Sequence, residues 1–273
     1  MAAEYNSHTC RDSTVRSHRE AVERVILTMR GRFDEPMALH DMAEVACLSP
    51  CHFDRVFRET TGIPPVQFLY ALRIEAAKRL LLTTALSVTE VCYKVGYNSL
   101  GTFTSRFTQL VGLSPREFRR LADTVKNCRL ESLVDQAATI FKNASRRPFV
   151  TGDVIAPECT QRMIFVGLFP SLIPQGRPVA GTLLTTPESY SIGPVKDGRY
   201  HVFAAAFPKV NTLQTYLLPD APSLLVGVGA KRAIVKGQEA SDCVHVRLRP
   251  LRITDPPILI ALPFLLNEAL KRS

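Results

Sequence analysis

From Leu39 to Leu121 the apolar residues fall into short runs at helical spacing, and most of the pattern is written twice. Phe53 and Phe57 are followed by Gly62, Ile63, Pro65 and Phe68; fifty residues on, Phe103 and Phe107 are followed by Gly112, Leu113, Pro115 and Phe118. A period of this length marks one supersecondary unit used twice. Upstream of each set, Leu39–Ser49 and Val88–Ser99 read as a short helix ending in a tight turn. Ala43 and Cys92 are small enough to let a second helix cross close to the first. Gly96 suits a turn residue at positive φ, and Cys47 holds that place in the first copy, where a strained or differently shaped turn is expected. Ser49 and Ser99 stand at N-cap positions, with Pro50 at a first helical position. The paired phenylalanines, four apart, share one face and are read as core; Gly62 and Gly112 end their helices.

Between the copies, Val66 to Thr83 reads as one long amphipathic helix. Leu69, Leu72, Ala76 and Leu80 form its apolar stripe, and Arg73, Glu75, Lys78 and Arg79 are expected outside. At about 1.5 Å per residue it would hold the two units roughly 27 Å apart. That is near the ~34 Å between successive major-groove faces of a duplex. An earlier helix, Ala21 to Arg30, brings Val22, Val25, Ile26 and Met29 to the first unit.

After Leu121 the pattern changes. Leu130, Leu133, Val134, Ala137, Ile140 and Phe141 make one more helical stripe, and residues 143–147 read as a linker. Glycine, proline and β-branched residues then dominate. Strands are expected at Val150–Ile155, Met163–Pro170, Pro178–Leu184, Tyr190–Ile192, Tyr200–Phe207, Leu224–Val228, Ala233–Val235 and Cys243–Leu248. In the last of these Val244, Val246 and Leu248 alternate with His245, Arg247 and Arg249, so one face is buried and a basic face is solvated. Asp197-Gly198 is a hairpin or turn signal. Ile258 to Leu270 is too apolar for a free tail and is expected to be a buried C-terminal helix.

Charge adds less than its size suggests. A formal net charge of +9 fits a polyanionic partner. Yet residues 1–130 hold 18 Lys and Arg against 14 Asp and Glu, and the remainder 16 against 11. The basicity is spread over both halves, so specific arginines must carry the case. The seven cysteines show no zinc-ligand spacing, and no metal or cofactor is expected. Met1 to Arg19 is polar with no apolar leader core, and no apolar run is long enough to span a membrane. A cytoplasmic protein with reduced thiols is the expectation.

Residues Val22 to Leu121 resemble the DNA-binding domain of AraC/XylS-type transcription regulators. The resemblance rests on Phe57 with Thr61-Gly62, then Arg73, Ala77, Leu80 and Leu81, then Gly112, Ser114, Pro115, Phe118 and Arg119. It implies an all-α, homeodomain-like double helix-turn-helix with units near 39–60 and 88–111. It places bases against the early part of each second helix: Cys51, His52, Asp54 and Arg55 in the first unit, Gly101, Thr102 and Ser105 in the second. Arg55 can present a bidentate fork to guanine O6 and N7. Asp54 can accept from cytosine N4 or orient an arginine. The arginine often found in the family at the Ser105 position has moved to Arg106, about 100° around the helix. The first unit is therefore expected to read sequence and the second, through Arg106, to grip phosphate.

Tyr190, Ile192, Val195, Gly198 and Tyr200 resemble the spacing of transthyretin-like or carboxypeptidase-regulatory-like β-sandwiches, which implies a non-catalytic module. The chain is thus expected to hold two domains, 22–121 all-α and 146–254 an all-β sandwich. An extension (1–21), a connecting helix and linker (122–145) and an apolar helix (255–273) surround them. The implied function is sequence-specific transcription regulation, without enzymatic activity. Double-stranded DNA is the implied partner, with RNA polymerase, a small-molecule effector and a second copy of the chain as further candidates. The rival readings are an architectural DNA binder and an enzyme with a DNA-binding appendage. The enzyme would have to draw on His201, Cys243 and His245, or on Cys51, whose Pro50-Cys51-His52 context resembles the nucleophile motif of DNA alkyltransferases with Phe53 in place of the arginine.

Overall fold

The computed structural model describes residues 2–125, 149–157, 162–171, 174–176, 178–193, 195–208, 214–218, 223–237, 239–240 and 243–259. The connecting helix expected near 130–141 and the chain beyond Leu259 lie outside them. Seven helices come first: α1 Ala2–Gly31, α2 Leu39–Ala46, α3 Pro50–Thr61, α4 Pro65–Thr83, α5 Val88–Lys94, α6 Leu100–Val111 and α7 Pro115–Val125. Most of the expected N-terminal extension is therefore the start of α1.

Local chemistry sets the ends. Ser87 and Glu90 cap α5 reciprocally, side chain to backbone, and Ser114 and Glu117 do the same before α7. Gly62 and Gly112 close α3 and α6 at φ 81 and 91. Ser99 accepts the Thr102 N–H, whereas Ser49 makes no such bond.

The linker helix α4 departs from the single stripe. Leu69 and Leu72 enter the first unit's core with Ile26, Met42, Phe53 and Phe57. Ala71, Ile74, Ala77 and Leu81 enter the second unit's core with Val91, Phe103 and Phe107. Ala76 and Leu80 are only half-buried. Arg73 and Lys78, expected outside, are buried at 8% and 3% exposure. A helix shared by two units is covered on two sides, so polar positions are drawn inside. Arg73 meets that burial by donating from Nε and Nη2 to the Phe33 and Glu35 carbonyls, at 2.7 and 2.8 Å. Lys78 makes no hydrogen bond among the described residues; its Nζ lies 5.8 Å from the centre of the Phe118 ring, with Glu75 as the nearby opposite charge.

The second half is built from β1 Val150–Ile155, β2 Arg162–Phe169, β3 Ala180–Leu184, β4 Ser189–Ile192 and β5 Gly198–Pro208. Then come a short helix α8 Gln214–Leu217, β6 Leu225–Val228, β7 Ala233–Lys236, β8 Glu239–Ala240, β9 Val246–Arg247 and β10 Arg249–Pro250. One sheet has the order β4-β1-β9; the larger runs β10-β6-β5-β2-β3, with β7 and β8 branching from β5. Val150, Val154, Tyr190, Ile192 and Val246 of the small sheet pack on Ile164, Val166, Val202 and Ala204 of the large one. The result is an all-β sandwich. The large sheet's other face is apolar too, because Met163, Phe165, Phe169, Leu183 and Phe207 join the core of the second helical unit.

Two strand expectations change. The alternation from Val244 to Leu248 holds, but the strand breaks at Leu248. Val246 and Arg247 pair with β1 in one sheet, and Arg249 and Pro250 pair with β6 in the other. Asp197-Gly198 makes no hairpin. It is the bend where the chain crosses from β4 to β5 in opposite sheets, and the Asp197 carboxylate accepts the Gly237 N–H. Residues 256–259 are in neither helix nor strand, and the rest of the expected C-terminal helix lies outside the described residues.

Candidate nucleic-acid interface

Each unit hangs on the same aromatic frame. Phe53–Phe57 and Phe57–Phe68 ring centres lie 5.4 and 5.6 Å apart, and Phe103–Phe107 and Phe107–Phe118 both 5.7 Å. All six rings are fully buried. This anchors α3 and α6 by one face and leaves the other free.

On α3, Cys51 and Arg55 are exposed and His52 and Asp54 half-buried. No described residue pairs with Arg55, so its fork is available. Asp54 instead binds Arg58 one turn on, carboxylate to Nε at 2.8 Å. Asp54 thus takes the orienting role, and Arg58 joins the face although the sequence reading passed over it. The i,i+4 Asp–Arg spacing was the available signal. His52 turns toward α1: its ring meets His18 edge-on at 5.2 Å, and its Nε2 is buried with no hydrogen bond among the described residues.

On α6, Gly101, Thr102 and Ser105 are exposed. Arg106 lies flat over Tyr70 of α4, 3.8 Å from the ring centre. Tyr70 stacks on Tyr97, and Arg73 Cζ lies 5.7 Å from the centre of the Tyr97 ring. This Arg–Tyr–Tyr–Arg cluster ties α6 to the linker helix. The Tyr97 hydroxyl inside it is buried without a hydrogen bond, and burial pushes its pKa up to about 12. A further basic surface lies beside it, where exposed Arg116 and Arg120 of α7 face Ser87 and Thr89. Arg119 there is spent on the Leu81 and Leu86 carbonyls.

Of the residues weighed for catalysis, Cys243 and His245 are two apart, both exposed, and face Thr151 and Asp153 of β1, while Cys51 and His201 lie on other elements. Cys51 lies on the open face of α3. His245 pairs with Asp153 at 2.9 Å, and Ser189 donates to the same carboxylate rather than to the imidazole. Cys243 meets Thr151, and His201 packs near Phe203, its pKa lowered by burial. No helix among the described residues is long and apolar enough to cross a membrane.

Together these features define a protein with two helix-turn-helix units on one shared helix. A helix-turn-helix domain family matches residues 42–121. The HTH-type transcriptional activator AarP of Providencia stuartii is 30% identical over 106 residues, 39% of this chain and 78% of AarP. The bifunctional transcriptional activator/DNA repair enzyme AdaA of Bacillus subtilis is 29% identical over 90 residues, 33% of this chain and 43% of AdaA. Among solved structures, the DNA-binding domain of the global transcriptional factor AdpA, crystallised with a target DNA, is 30% identical. It covers 39% of this chain and 96% of that one, with a TM-score of 0.38. The chain belongs to the AraC-type helix-turn-helix family of transcription regulators. It spans about a third of the length of the first curated relatives it matches.

Proposed function

We propose that this chain is a sequence-specific DNA-binding transcription regulator whose helices α3 and α6 enter adjacent major grooves of double-stranded DNA. The observation that carries this is the duplicated aromatic frame on one 19-residue helix, with a free polar face on each second helix. Arg55, with Cys51, His52 and the Asp54–Arg58 pair beside it, supplies most of the base readout. Gly101, Thr102 and Ser105 offer short contacts, and Arg106 reaches phosphate from its stack on Tyr70. Residues 22–121 are the DNA-binding domain and 146–254 a non-catalytic domain for effector sensing or assembly. The protein works in the cytoplasm, with RNA polymerase as its downstream contact. No contact among the described residues joins Cys51 or His201 to the side where Cys243 and His245 meet β1, which favours this over an enzyme, despite the repair activity in AdaA's name.

Selection from random duplexes followed by footprinting tests the reading. One chain should protect an asymmetric site with two unlike half-sites about 10 base pairs apart. Protection of a single groove face per chain removes the two-groove arrangement. Selection without any sequence preference makes the protein an architectural binder.

A further inference from the structure

A cavity of about 140 Å³ lies between the outer face of the large sheet and the helical half. Phe165, Phe169, Phe203 and Phe207 form much of its wall, and Leu251 and Ile258 of the strand-exit segment cover it. Phe169 and Phe203 meet edge to face at 5.6 Å, so the wall presents both ring edges and ring faces. One charged pair borders the space, and it is self-neutralised: Arg249 holds Asp255 through both Nη atoms, at 2.7 and 2.8 Å.

This cavity borders the end of α3 directly and is joined to the end of α6 through one loop. Thr61, the last residue of α3, lines it. Pro174 lines it as well. Two residues further, the Gly176 N–H donates to the Leu110 carbonyl in the last turn of α6, at 3.0 Å. The covering segment spans the two units: Ile253 packs on the first unit's core, and Ile258 and Leu259 pack in the second's.

We propose that this cavity is an effector site for one uncharged aromatic ring, and that filling it resets α3 relative to α6. The ligand class follows from size and charge. A cavity of about 150 Å³ lined by Leu, Ile and Phe accepts benzene. An ion would lose its hydration against four phenylalanines and a neutral ion pair. The proposal rests on the regulator reading for its coupling to DNA, but not for the binding itself.

The test uses the full chain with benzyl alcohol and indole, and with benzoate and benzylammonium as charged counterparts. The uncharged rings should raise Tm by about 5 °C at a hundredfold excess over Kd, and the charged ones should not. Ala205→Leu fills the space between Phe203 and Phe207 on β5 and should abolish the shift. Val228→Trp, at a rim position 46% exposed, should weaken binding without disturbing the fold. Benzyl alcohol should change Kd for the selected DNA about fivefold or more, and that DNA should change Kd for benzyl alcohol by the same factor. The site is overturned if no uncharged ring shifts Tm, if the charged counterparts bind as well, or if the shift survives both substitutions. Ring binding with no effect on DNA affinity overturns the effector role. A preferred DNA sequence without ring binding sinks the cavity proposal alone, whereas ring binding without a preferred sequence sinks the regulator reading.

Discussion

In the first unit the turn before the recognition helix is made by Cys47 at φ 56; in the second it is made by Gly96 at φ 80. The frames around the two turns are alike, so the difference comes from what each turn touches. Cys47 is exposed and open to strain relief. Gly96 backs onto the loop after α1, where an added Cβ would lie 2.4 Å from the Asp34 carbonyl oxygen. Its glycine is required twice, by φ and by contact between the units. The fastenings differ as well. The first unit leans on α1, with Ile253 as its β-half neighbour in the core, while the second shares one continuous core with the large sheet. A repeated skeleton thus carries two roles: a unit with an open arginine, and a unit fixed to the rest of the molecule.

The largest expected effect is at the turn that is required twice. Gly96→Ala should lower stability by about 3 kcal/mol, combining positive-φ strain with a clash against backbone. Urea denaturation checks it; a loss below that of an ordinary surface substitution would mean the contact with Asp34 is not rigid.

Lys78 sharpens the comparison next. Counting the spacing 71, 74, 78 against 22, 25, 29, it stands where the first unit buries Met29. Burial lowers its pKa to about 8 from 10.5, with Glu75 opposing weakly. The folded state therefore disfavours the charged amine, and this cost is complete below pH 8. It is relieved as pH rises from 8 toward 10.5, where the unfolded chain holds the extra proton. Lys78→Met should raise stability at pH 7 by about 2–3 kcal/mol and flatten the rise between pH 8 and 10. Above 9 the buried Cys92 thiol, and above 10 the Tyr97 and Tyr190 hydroxyls, all with pKa values raised by burial, work the other way, so pH 8 to 9 is the clean window. A variant no more stable than the parent at pH 7 would show that the amine reaches water.

DNA binding separates the units directly. Arg55→Ala should cost about 1–3 kcal/mol and relax one base preference. Arg106→Ala should weaken binding alike across sequences, and should also lower stability by about 1 kcal/mol through loss of the stack on Tyr70. Selection on both variants decides; base preference that changes with Arg106 and not with Arg55 reverses the assignment of roles.

The smallest effect returns to the first turn. Cys47→Gly should stabilise by about 1 kcal/mol, because glycine meets no Cβ penalty in the left-handed region. Unchanged stability would show that the added freedom of the unfolded chain offsets the gain.

The sequence by itself determined the duplicated helical unit, the ends of its short helices and the inward faces of those helices and of the strand around Val246. These depend on short-range spacing: phenylalanines four apart, glycines at positive φ, and β alternation as at Val244, Val246 and Leu248. It also singled out Arg55, because an exposed arginine early in a recognition helix needs no partner to be recognised. Only the tertiary structure decided which side of α4 is inside, since two clusters claim that helix and bury Arg73 and Lys78 against their local pattern. Tertiary packing likewise turned His52 toward His18, laid Arg106 on Tyr70 and joined the large sheet to the second unit. Each of these pairs residues far apart in the chain. Local periodicity carries no information about such contacts, because it reports which face of an element is apolar and not what comes to cover it.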